Sequence, residues 1–492
     1  MNGENKMLKR FILKKVMKGF TGKKKDLEKL VTMTQDNVQM HDTLENFISS
    51  LDRSLQNDTP FAKILLRVGK ELSPAYKRNI LQNLIYNQFI NGHAKREALR
   101  ADGHTWIPNL MVISPTMRCN LHCTGCYSGL YVKDGELSED DMINILDQAR
   151  DMGLYFIVIS GGEPYIMKHT LLRLFKRYND MFFLTYTNGT FLDRETVKEL
   201  AALGNVAPAI SVEGWKEETD GRRGEGMWEK INNAMDLLRE AGVLFGISVT
   251  YTRHNIDTIT DNKFIEYFMN KGALFGWYFM FMPVGKDPIL DLVPTPQQRV
   301  FCGRSVERLR NIYPMFLADF WNDGPAVGGC LAGGRQYLHI LNSGFAEPCV
   351  FAHFHAADHN IREKSIIEVV NSPFFRDIRK HFPYNKNANL RMPCMIIDNP
   401  EILREVVDKH VEGESHAHAE DIVADPKVRR WIDNYSRELG EILNPVWEKE
   451  ISNPNFRWYK ETERYRQLFE FQDDEKYPPV EATVKKKETV GV

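Results

Sequence analysis

Short apolar runs alternate with amphipathic stretches through the middle of this 492-residue chain. The runs have the length of buried strands, and the second to sixth of them lie at 154–159, 182–186, 207–212, 245–251 and 276–282. Between them, apolar residues recur at helical spacing, as in the segment that Ser138 opens as a helix N-cap. This alternation predicts a parallel sheet with right-handed crossovers. Six units are too few for a full eightfold barrel, so we expect an α/β fold with a partial (β/α)6 barrel.

Three cysteines precede the second of these strands, in the run Cys119-Asn-Leu-His-Cys123-Thr-Gly-Cys126. At this spacing, three thiolates can hold three irons of a cubane iron–sulfur cluster and leave the fourth iron open to a ligand. A zinc knuckle or three unrelated core cysteines are the alternatives. Zinc usually takes four ligands, often in paired units. No second pair lies nearby, so the spacing favours the cluster.

Glycines and polar residues follow the ends of the predicted strands. Gly161-Gly162-Glu163 follows the second strand, where glycines let the backbone approach a ligand and a carboxylate can accept from an ammonium group. The later strand ends and the loop after the fourth strand carry Asn188, Ser211, Glu213, Arg222 and Arg223. Because sites in parallel α/β folds form at the carboxyl ends of strands, we expect these residues to share one site with the cysteines.

Together these segments resemble the motifs of the radical S-adenosylmethionine (radical SAM) enzymes over roughly residues 110–400. The resemblance implies that Cys119, Cys123 and Cys126 bind a 4Fe–4S cluster whose open iron chelates S-adenosylmethionine (SAM). The reduced cluster would cleave SAM to a deoxyadenosyl radical, which takes a hydrogen atom from the substrate. A small redox protein would be the electron donor.

The same resemblance assigns the groups that bind SAM. The residues it assigns are Tyr127, Gly161, Gly162, Glu163, Asn188, Ser211, Glu213 and Arg223. Glu163 would meet the SAM amino group, and Glu213 stands where the family commonly has Asp near the ribose. Arg223, in preference to Arg222, would reach the SAM carboxylate. A solvated basic loop is the alternative for the two arginines.

The later cysteines point to a second cluster. Two short strands joined at 342–344 predict a β-hairpin that brings Cys330 and Cys349 together, and Cys394 follows. The spacing resembles the auxiliary-cluster domain of the SPASM and Twitch subfamilies, but the full seven-cysteine set of a two-cluster domain is absent. We therefore expect one auxiliary 4Fe–4S cluster on Cys330, Cys349 and Cys394, with three structural thiols as the alternative. The fourth ligand is left open among Cys302, His353, Asp398 and no protein group.

Charge and cysteine usage narrow the classes of partner and the cellular location. A formal net charge of −2 offers no basic footprint for nucleic acid. Seven cysteines, most of them assigned to clusters, favour a reducing cytoplasm over a disulfide scaffold. No apolar run has the length that spans a bilayer. We expect a cytoplasmic protein, with the inner face of the membrane as a candidate contact.

That candidate contact comes from the first residues. Leu8, Phe11 and Val16 mark one face of a predicted helix and lysines mark the other, which is typical of helices that lie on anionic membranes. A cap helix packed on the protein is the alternative. The predicted units are this helix (1–25), a helical region (26–107), the barrel (108–300), the auxiliary domain (301–400), a helical extension (401–475) and a disordered tail (476–492). In the extension, His410, His416 and His418 are candidate metal ligands, although a solvated polar loop is the favoured interpretation.

The expected activity is hydrogen abstraction from an unactivated C–H bond. The basic first helix favours a membrane lipid or another apolar chain as substrate. A SPASM-type peptide or protein maturase is the alternative, although 42–97 lacks an evident pair of strands for a peptide-clasping domain. A non-catalytic iron–sulfur scaffold or redox sensor is a third interpretation, and the Gly-Gly-Glu segment argues against it because a scaffold needs no SAM pocket.

Overall fold

The computed structural model of the chain describes residues 22–37, 49, 51–101, 105–285, 289–411, 415–454 and 456. Most of the predicted amphipathic helix at 1–25 and the whole predicted tail at 476–492 lie outside the described residues. The same holds for the last part of the predicted helical extension, beyond residue 456. The membrane-contact prediction therefore stays a prediction.

A single nine-stranded sheet forms the centre of the described chain. Its strands are β1 Met111–Ile113, β2 Phe156–Ile159, β3 Phe182–Thr187, β4 Val206–Val212, β5 Gly246–Tyr251, β6 Phe275–Met280, β7 Phe316–Asp319, β8 His339–Ile340 and β9 Ala346–Glu347. They lie in the order β7-β6-β5-β4-β3-β2-β1-β8-β9. All neighbours are parallel except the last pair, β8 and β9. The predicted α/β fold with a parallel sheet is confirmed.

The sheet is larger than the six predicted strands. β7 extends it beyond β6; this strand is only four residues long and its first residue, Phe316, is 53% exposed, so it lacks the apolar run of a buried strand. At the other edge, the predicted hairpin forms as β8 and β9, and Val112 of β1 pairs with His339 of β8. The hairpin therefore continues the barrel sheet.

Helices cover the sheet, and further helices lie before its first strand and after its last strand in the chain. In order they are α1 Lys24–Asn37, α2 Pro60–Glu71, α3 Pro74–Asn79, α4 Gly92–Arg100, α5 Glu139–Asp151, α6 Lys168–Arg177, α7 Arg194–Leu203, α8 Lys216–Arg223, α9 Met227–Glu240, α10 Ile256–Ile259, α11 Asn262–Asn270, α12 Pro296–Ile312, α13 Gly324–Val327, α14 Ile366–Val370, α15 Pro373–Lys380, α16 Pro400–His410, α17 Asp421–Ala424 and α18 Pro426–Ile451. Residues 51–56 are also helical. Ser138 caps α5 as predicted, accepting from the Asp141 N–H in a capping box. None of the helices in these described ranges has the length and apolar character needed to cross a bilayer.

Ile80–Asn91 is a π-helix whose buried side chains are amides. Asn83 and Asn87 are buried and donate to the carbonyls of Met181 and Asp180, whereas Phe89 is 63% exposed. A π-helix has a wider turn, which shifts every later side chain around the axis. The amides thereby satisfy backbone carbonyls at the amino end of β3.

Candidate functional site

The first three cysteines lie in the loop that follows β1. Their thiols are free and partly exposed, and they are close enough to interact electrostatically with one another. The Leu121 N–H donates to Cys119 Sγ, and burial raises the pKa of that thiol to about 11. Burial also raises the pKa of Cys123, which the Arg223 guanidinium opposes. Three sulfurs gathered beside a cation form a donor set that fits an iron–sulfur cluster.

Gly161 and Gly162 form the surface on which this loop rests. A side chain at Gly161 would place its Cβ 2.3 Å from the Thr116 carbonyl oxygen, and one at Gly162 would place it 2.2 Å from that of Arg118. Gly161 also has φ of 118°, a conformation that favours glycine. The loop is fixed here by the Gly162 and Glu163 N–H groups, which donate to the same two carbonyls at 3.0 and 2.8 Å. The glycines are therefore needed for the approach of the cysteine loop itself.

Glu163 is fully buried beneath the loop. Its carboxylate accepts from the Asn188 N–H at 2.7 Å, the Thr187 hydroxyl at 2.8 Å and the Tyr165 N–H at 3.0 Å. Burial raises the pKa of Glu163 to about 7, and these hydrogen bonds oppose the shift. The carboxylate thus fixes the turn that ends β3. From that turn, Asn188 Nδ2 donates to Asn120 in the cysteine loop at 2.9 Å.

Glu213 has a similar supporting position at the end of β4. It is 1% exposed and accepts from Arg222 Nη1 at 2.7 Å and from Arg223 Nε at 2.8 Å. Arg222 also bonds to the cysteine loop, because its Nε donates to the Thr124 carbonyl at 3.2 Å. One carboxylate therefore orients both guanidinium groups beside the cysteines.

A cavity of about 250 Å³ opens over these groups. The predicted site residues that line it are Cys119, Cys123, Cys126, Tyr127, Gly161, Gly162, Asn188, Ser211 and Arg223. The structure thus brings nine of the eleven predicted groups of the first site to one cavity. Glu163 and Glu213 do not line it and support the lining residues from behind. Direct contact of these two carboxylates with SAM stays a prediction.

Tyr127 connects the first site to the later cysteines. Its hydroxyl lies 2.9 Å from Ser160 Oγ, and its ring packs edge-on against Phe351 with centroids 5.5 Å apart. Phe351 in turn donates its backbone N–H to Cys349 Sγ at 3.4 Å. Tyr127 immediately follows Cys126, so one aromatic contact separates the two cysteine sites.

Cys330, Cys349 and Cys394 lie together in the interior. Cys349 and Cys394 are buried, and Cys330 interacts electrostatically with Cys349, as Cys394 does with Cys330. Each sulfur accepts an N–H from the residue two positions later, Ala332, Phe351 or Ile396, in the same arrangement as Cys119 with Leu121. Such N–H donors stabilise thiolates and cluster sulfurs. Within the described ranges, no three His, Cys, Asp or Glu side chains are placed to hold a single metal ion.

The three side chains considered for the fourth position each have partners within the protein. Cys302 is buried in α12, where it hydrogen-bonds Asp319. Asp398 forms a fully buried ion pair with Arg299 and also accepts the Cys394 N–H at 3.0 Å. His353 uses one ring nitrogen on the Val350 carbonyl at 3.1 Å and the other on His416 Nε2 at 2.7 Å.

The position of His416 corrects the expectation of a solvated histidine loop. His416 is 5% exposed and packs against Tyr131, with ring centroids 4.7 Å apart. His418, in contrast, is exposed, and His410 pairs with Asp377 at 2.7 Å. A short polar loop carries no periodic signal that would separate one buried histidine from its exposed neighbours.

Sequence reasoning also missed a buried polar network behind the hairpin. Tyr131 donates its hydroxyl to the Glu347 carboxylate at 2.9 Å, and His339 Nδ1 lies 3.1 Å from the same carboxylate. His339 Nε2 lies 2.7 Å from Ser114 Oγ at the end of β1. The network joins β1 and the cysteine loop to the hairpin, which lies more than 200 residues later in the chain.

Comparison with known proteins agrees with this geometry. Residues 113–268 match the family model of the Radical SAM superfamily. The chain is 30% identical over 302 residues to the AdoMet-dependent heme synthase of Methanosarcina barkeri, an alignment that covers 55% of this chain and 85% of that relative. It is 25% identical over 318 residues to the PqqA peptide cyclase of Granulibacter bethesdensis, covering 58% of this chain and 79% of that relative. Streptococcus suis SuiB aligns in structure with a TM-score of 0.49 at 18% identity, covering 59% of this chain and 72% of SuiB.

The chain belongs to the radical SAM superfamily. It is therefore an enzyme that uses a 4Fe–4S cluster and SAM, as predicted, and enzymes of this superfamily take an electron from a redox donor. Family membership excludes the interpretation as a non-catalytic scaffold.

Proposed function

We propose that the chain is a peptide- or protein-modifying radical SAM enzyme that takes a hydrogen atom from an apolar or aromatic side chain. One observation carries this proposal: beyond the cysteine loop, the cavity is lined by aromatic groups. They are Tyr186, Trp277, Phe279, Phe281, Phe320, Tyr337 and Phe351. Bound cluster and SAM supply the radical chemistry, and the aromatic wall orients an apolar group and excludes water.

The charge of the cavity favours a neutral substrate group. Among the described residues that line it, the cations are Arg222 and Arg223, and both are paired with Glu213 at the SAM end. A tetrapyrrole, which the name of the heme synthase relative suggests, brings carboxylates that need cations of their own. The described residues at the aromatic end of the cavity include no such cation. An apolar side chain of a peptide needs no cation to bind there.

The lipid interpretation has less support than its peptide alternative. Its motivation is the segment at 1–25, which lies mostly outside the described residues. The PqqA peptide cyclase, one of the relatives, acts on a peptide by its name. We therefore place peptide substrates first, with a cytoplasmic location, and treat contact with an anionic membrane as a separate proposal.

We also propose one auxiliary cluster on Cys330, Cys349 and Cys394. The buried thiols, their N–H donors and the nearby Arg335 fit an anionic iron–sulfur group, since Arg335 opposes the rise that burial causes in the pKa of Cys330. The contact of Tyr127 with Phe351 gives the two sites a short connection. This supports a role in electron transfer near the substrate.

The test uses the reconstituted full chain without oxygen, with SAM, a reductant and peptides that carry deuterated Trp, Tyr, Phe, Leu or Val. We expect deuterium in the released 5′-deoxyadenosine with at least one peptide and none with the Cys119→Ala variant. Deuterium transfer only from a tetrapyrrole, or only from lipid vesicles, would contradict the peptide assignment.

For the membrane proposal, flotation of the full chain with anionic vesicles is compared with a chain that begins at Asp26, and equal flotation of the two would contradict contact through the first helix.

A further inference from the structure

Tyr384 is a buried side chain that the two sites described above leave without a role. It is 3% exposed and has φ of 72°, in the left-handed region that few residues other than glycine adopt. Its hydroxyl makes no hydrogen bond with any group in the described part of the chain. A buried hydroxyl without a partner costs about 1–3 kcal/mol. Such a group needs a hydrogen-bond partner that the described part of the polypeptide does not supply.

The surroundings of this hydroxyl identify the missing acceptor. The phenol interacts electrostatically with Cys330, Cys394 and Cys349, so all three later thiols lie in its neighbourhood. A Cβ built on Gly333 would lie 3.4 Å from the hydroxyl oxygen, which places this oxygen against the turn that follows Cys330. The hydroxyl is therefore buried against the turn that follows one proposed ligand, with the other two thiols in its neighbourhood.

Tyr337 provides a second phenol at the same place. Its hydroxyl donates to Cys349 Sγ at 3.3 Å, and it also interacts electrostatically with Cys330 and Cys394. Two phenols thus lie near one group of sulfurs, and only one of them has an acceptor within the described residues. A phenol has a pKa of about 10 and is protonated at neutral pH, so the Tyr384 hydroxyl has a proton to donate.

We propose that Tyr384 donates its O–H to a sulfur atom of the auxiliary cluster and so sets the reduction potential of that cluster. The assignment rests on the proposed cluster at Cys330, Cys349 and Cys394. Hydrogen bonds to cluster sulfurs stabilise the more negative, reduced state and raise the potential. Tyr384 is then a positioning residue of the auxiliary site, and Tyr337 is its partner.

The experiment uses the full chain carrying Cys119→Ala, Cys123→Ala and Cys126→Ala, so that only the auxiliary cluster remains. Electron–nuclear double resonance in D2O is first recorded with Tyr384 intact, so that no residue of the auxiliary site is substituted in this measurement. We expect several exchangeable deuterons coupled to the reduced cluster, because the Tyr337 hydroxyl and backbone N–H groups also donate to the cysteine sulfurs. In Tyr384→Phe we expect the same iron content, loss of one of these couplings and a shift of the midpoint potential to more negative values. Tyr76→Phe is the control, because that phenol is also buried but donates to the Val206 carbonyl.

Three results would overturn the assignment. An unchanged potential with every deuteron coupling retained in Tyr384→Phe would show that Tyr384 is not a donor to the cluster. A new sensitivity of the cluster signal to cyanide in Tyr384→Phe alone would show that Tyr384 is an iron ligand instead of a donor. Absence of iron from the background chain would overturn the auxiliary cluster itself and the assignment with it.

Discussion

At the residue scale, the two carboxylates of the first site bind protein groups instead of lining the cavity. Glu163 holds the turn after β3, and Glu213 holds two arginines. A carboxylate that accepts several N–H or O–H donors fixes their positions more firmly than a neutral acceptor. The shape of the cavity therefore depends on side chains behind its wall.

Glu163→Gln should weaken SAM binding about tenfold or more. The amide would direct an NH2 group at one of the three groups that now donate to Glu163, a mismatch of about 1–3 kcal/mol. The free protein would relieve it by displacing the turn that carries Asn188, and binding of SAM would have to restore that turn. The measurement is the dissociation constant of SAM for the anaerobically reconstituted protein, with Glu218→Gln as a control outside the cavity. An analogue of SAM without its amino group separates the two roles: if Glu163 acts through Asn188, the variant binds the analogue more weakly as well. Equal binding of the analogue by both proteins would instead indicate direct contact with the ammonium.

His359 should make the fold sensitive to acid. It is fully buried between Ser372 and the Ala356 N–H, and burial lowers its pKa from 6.5 to about 4. Because the unfolded chain binds the proton more readily, this contribution to stability is present above pH 6.5 and is lost as the pH falls toward 4. The loss should reach about 2 kcal/mol by pH 5.

The check is urea unfolding of the wild-type chain and of His359→Gln at pH 7 and pH 5. The variant should be less stable at pH 7 and lose less stability on acidification. His418→Gln, at an exposed position, should follow the wild type. An equal loss of stability in His359→Gln and the wild type would contradict the assignment.

At the element scale, the sequence predicts the strands that have apolar runs and misses those that do not. The run at 154–159 contains β2, and the run at 182–186 covers all of β3 except its last residue, because a strand buried on both faces is continuously apolar. β7 lies at an edge with an exposed first residue, and the π-helix depends on amide contacts to a distant strand. Neither feature leaves a local periodic signal.

Tertiary contacts also decide how α12 attaches to the later cysteines. Arg299 in this helix and Asp398 are both fully buried and form an ion pair. The second Asp398 oxygen accepts from Arg299 Nη2 and from the Cys394 N–H, each at 3.0 Å. The pair therefore fixes the backbone that carries one proposed cluster ligand.

Arg299→Met should destabilise the protein by about 3–5 kcal/mol, because it leaves the Asp398 charge buried and unpaired. Combining it with Asp398→Leu should recover much of the loss, since no buried charge then remains. Urea unfolding and iron content per chain are the measurements. Arg310 is in the same helix as Arg299 and forms a partly exposed ion pair with Asp323. Arg310→Met, which breaks this pair, should lower stability much less. Equal losses in the two single variants would contradict this account.

At the scale of the whole molecule, the site assembles from segments spread over most of the described chain. The motifs from Cys119 to Arg223 could be found from the sequence because each follows a strand end, and strand ends meet at one edge of a parallel sheet. The supporting network of Tyr131, Glu347 and His339 could not be found in this way. Its members are ordinary polar residues whose only distinguishing property is burial together.

The two cysteine sites should fill independently. The native chain should bind about eight irons, and replacing either Cys119, Cys123 and Cys126 or Cys330, Cys349 and Cys394 by alanine should leave about four. Only the first triple variant should lose reductive cleavage of SAM, because the groups that line the SAM end of the cavity belong to the first site. Cys302→Ala is the matched control and should keep about eight irons, since that thiol bonds to Asp319. About four irons in the native chain, with none lost from the second triple variant, would mean that the three later thiols are structural. No auxiliary cluster would then lie behind the side of the cavity that Phe351 and Tyr337 line.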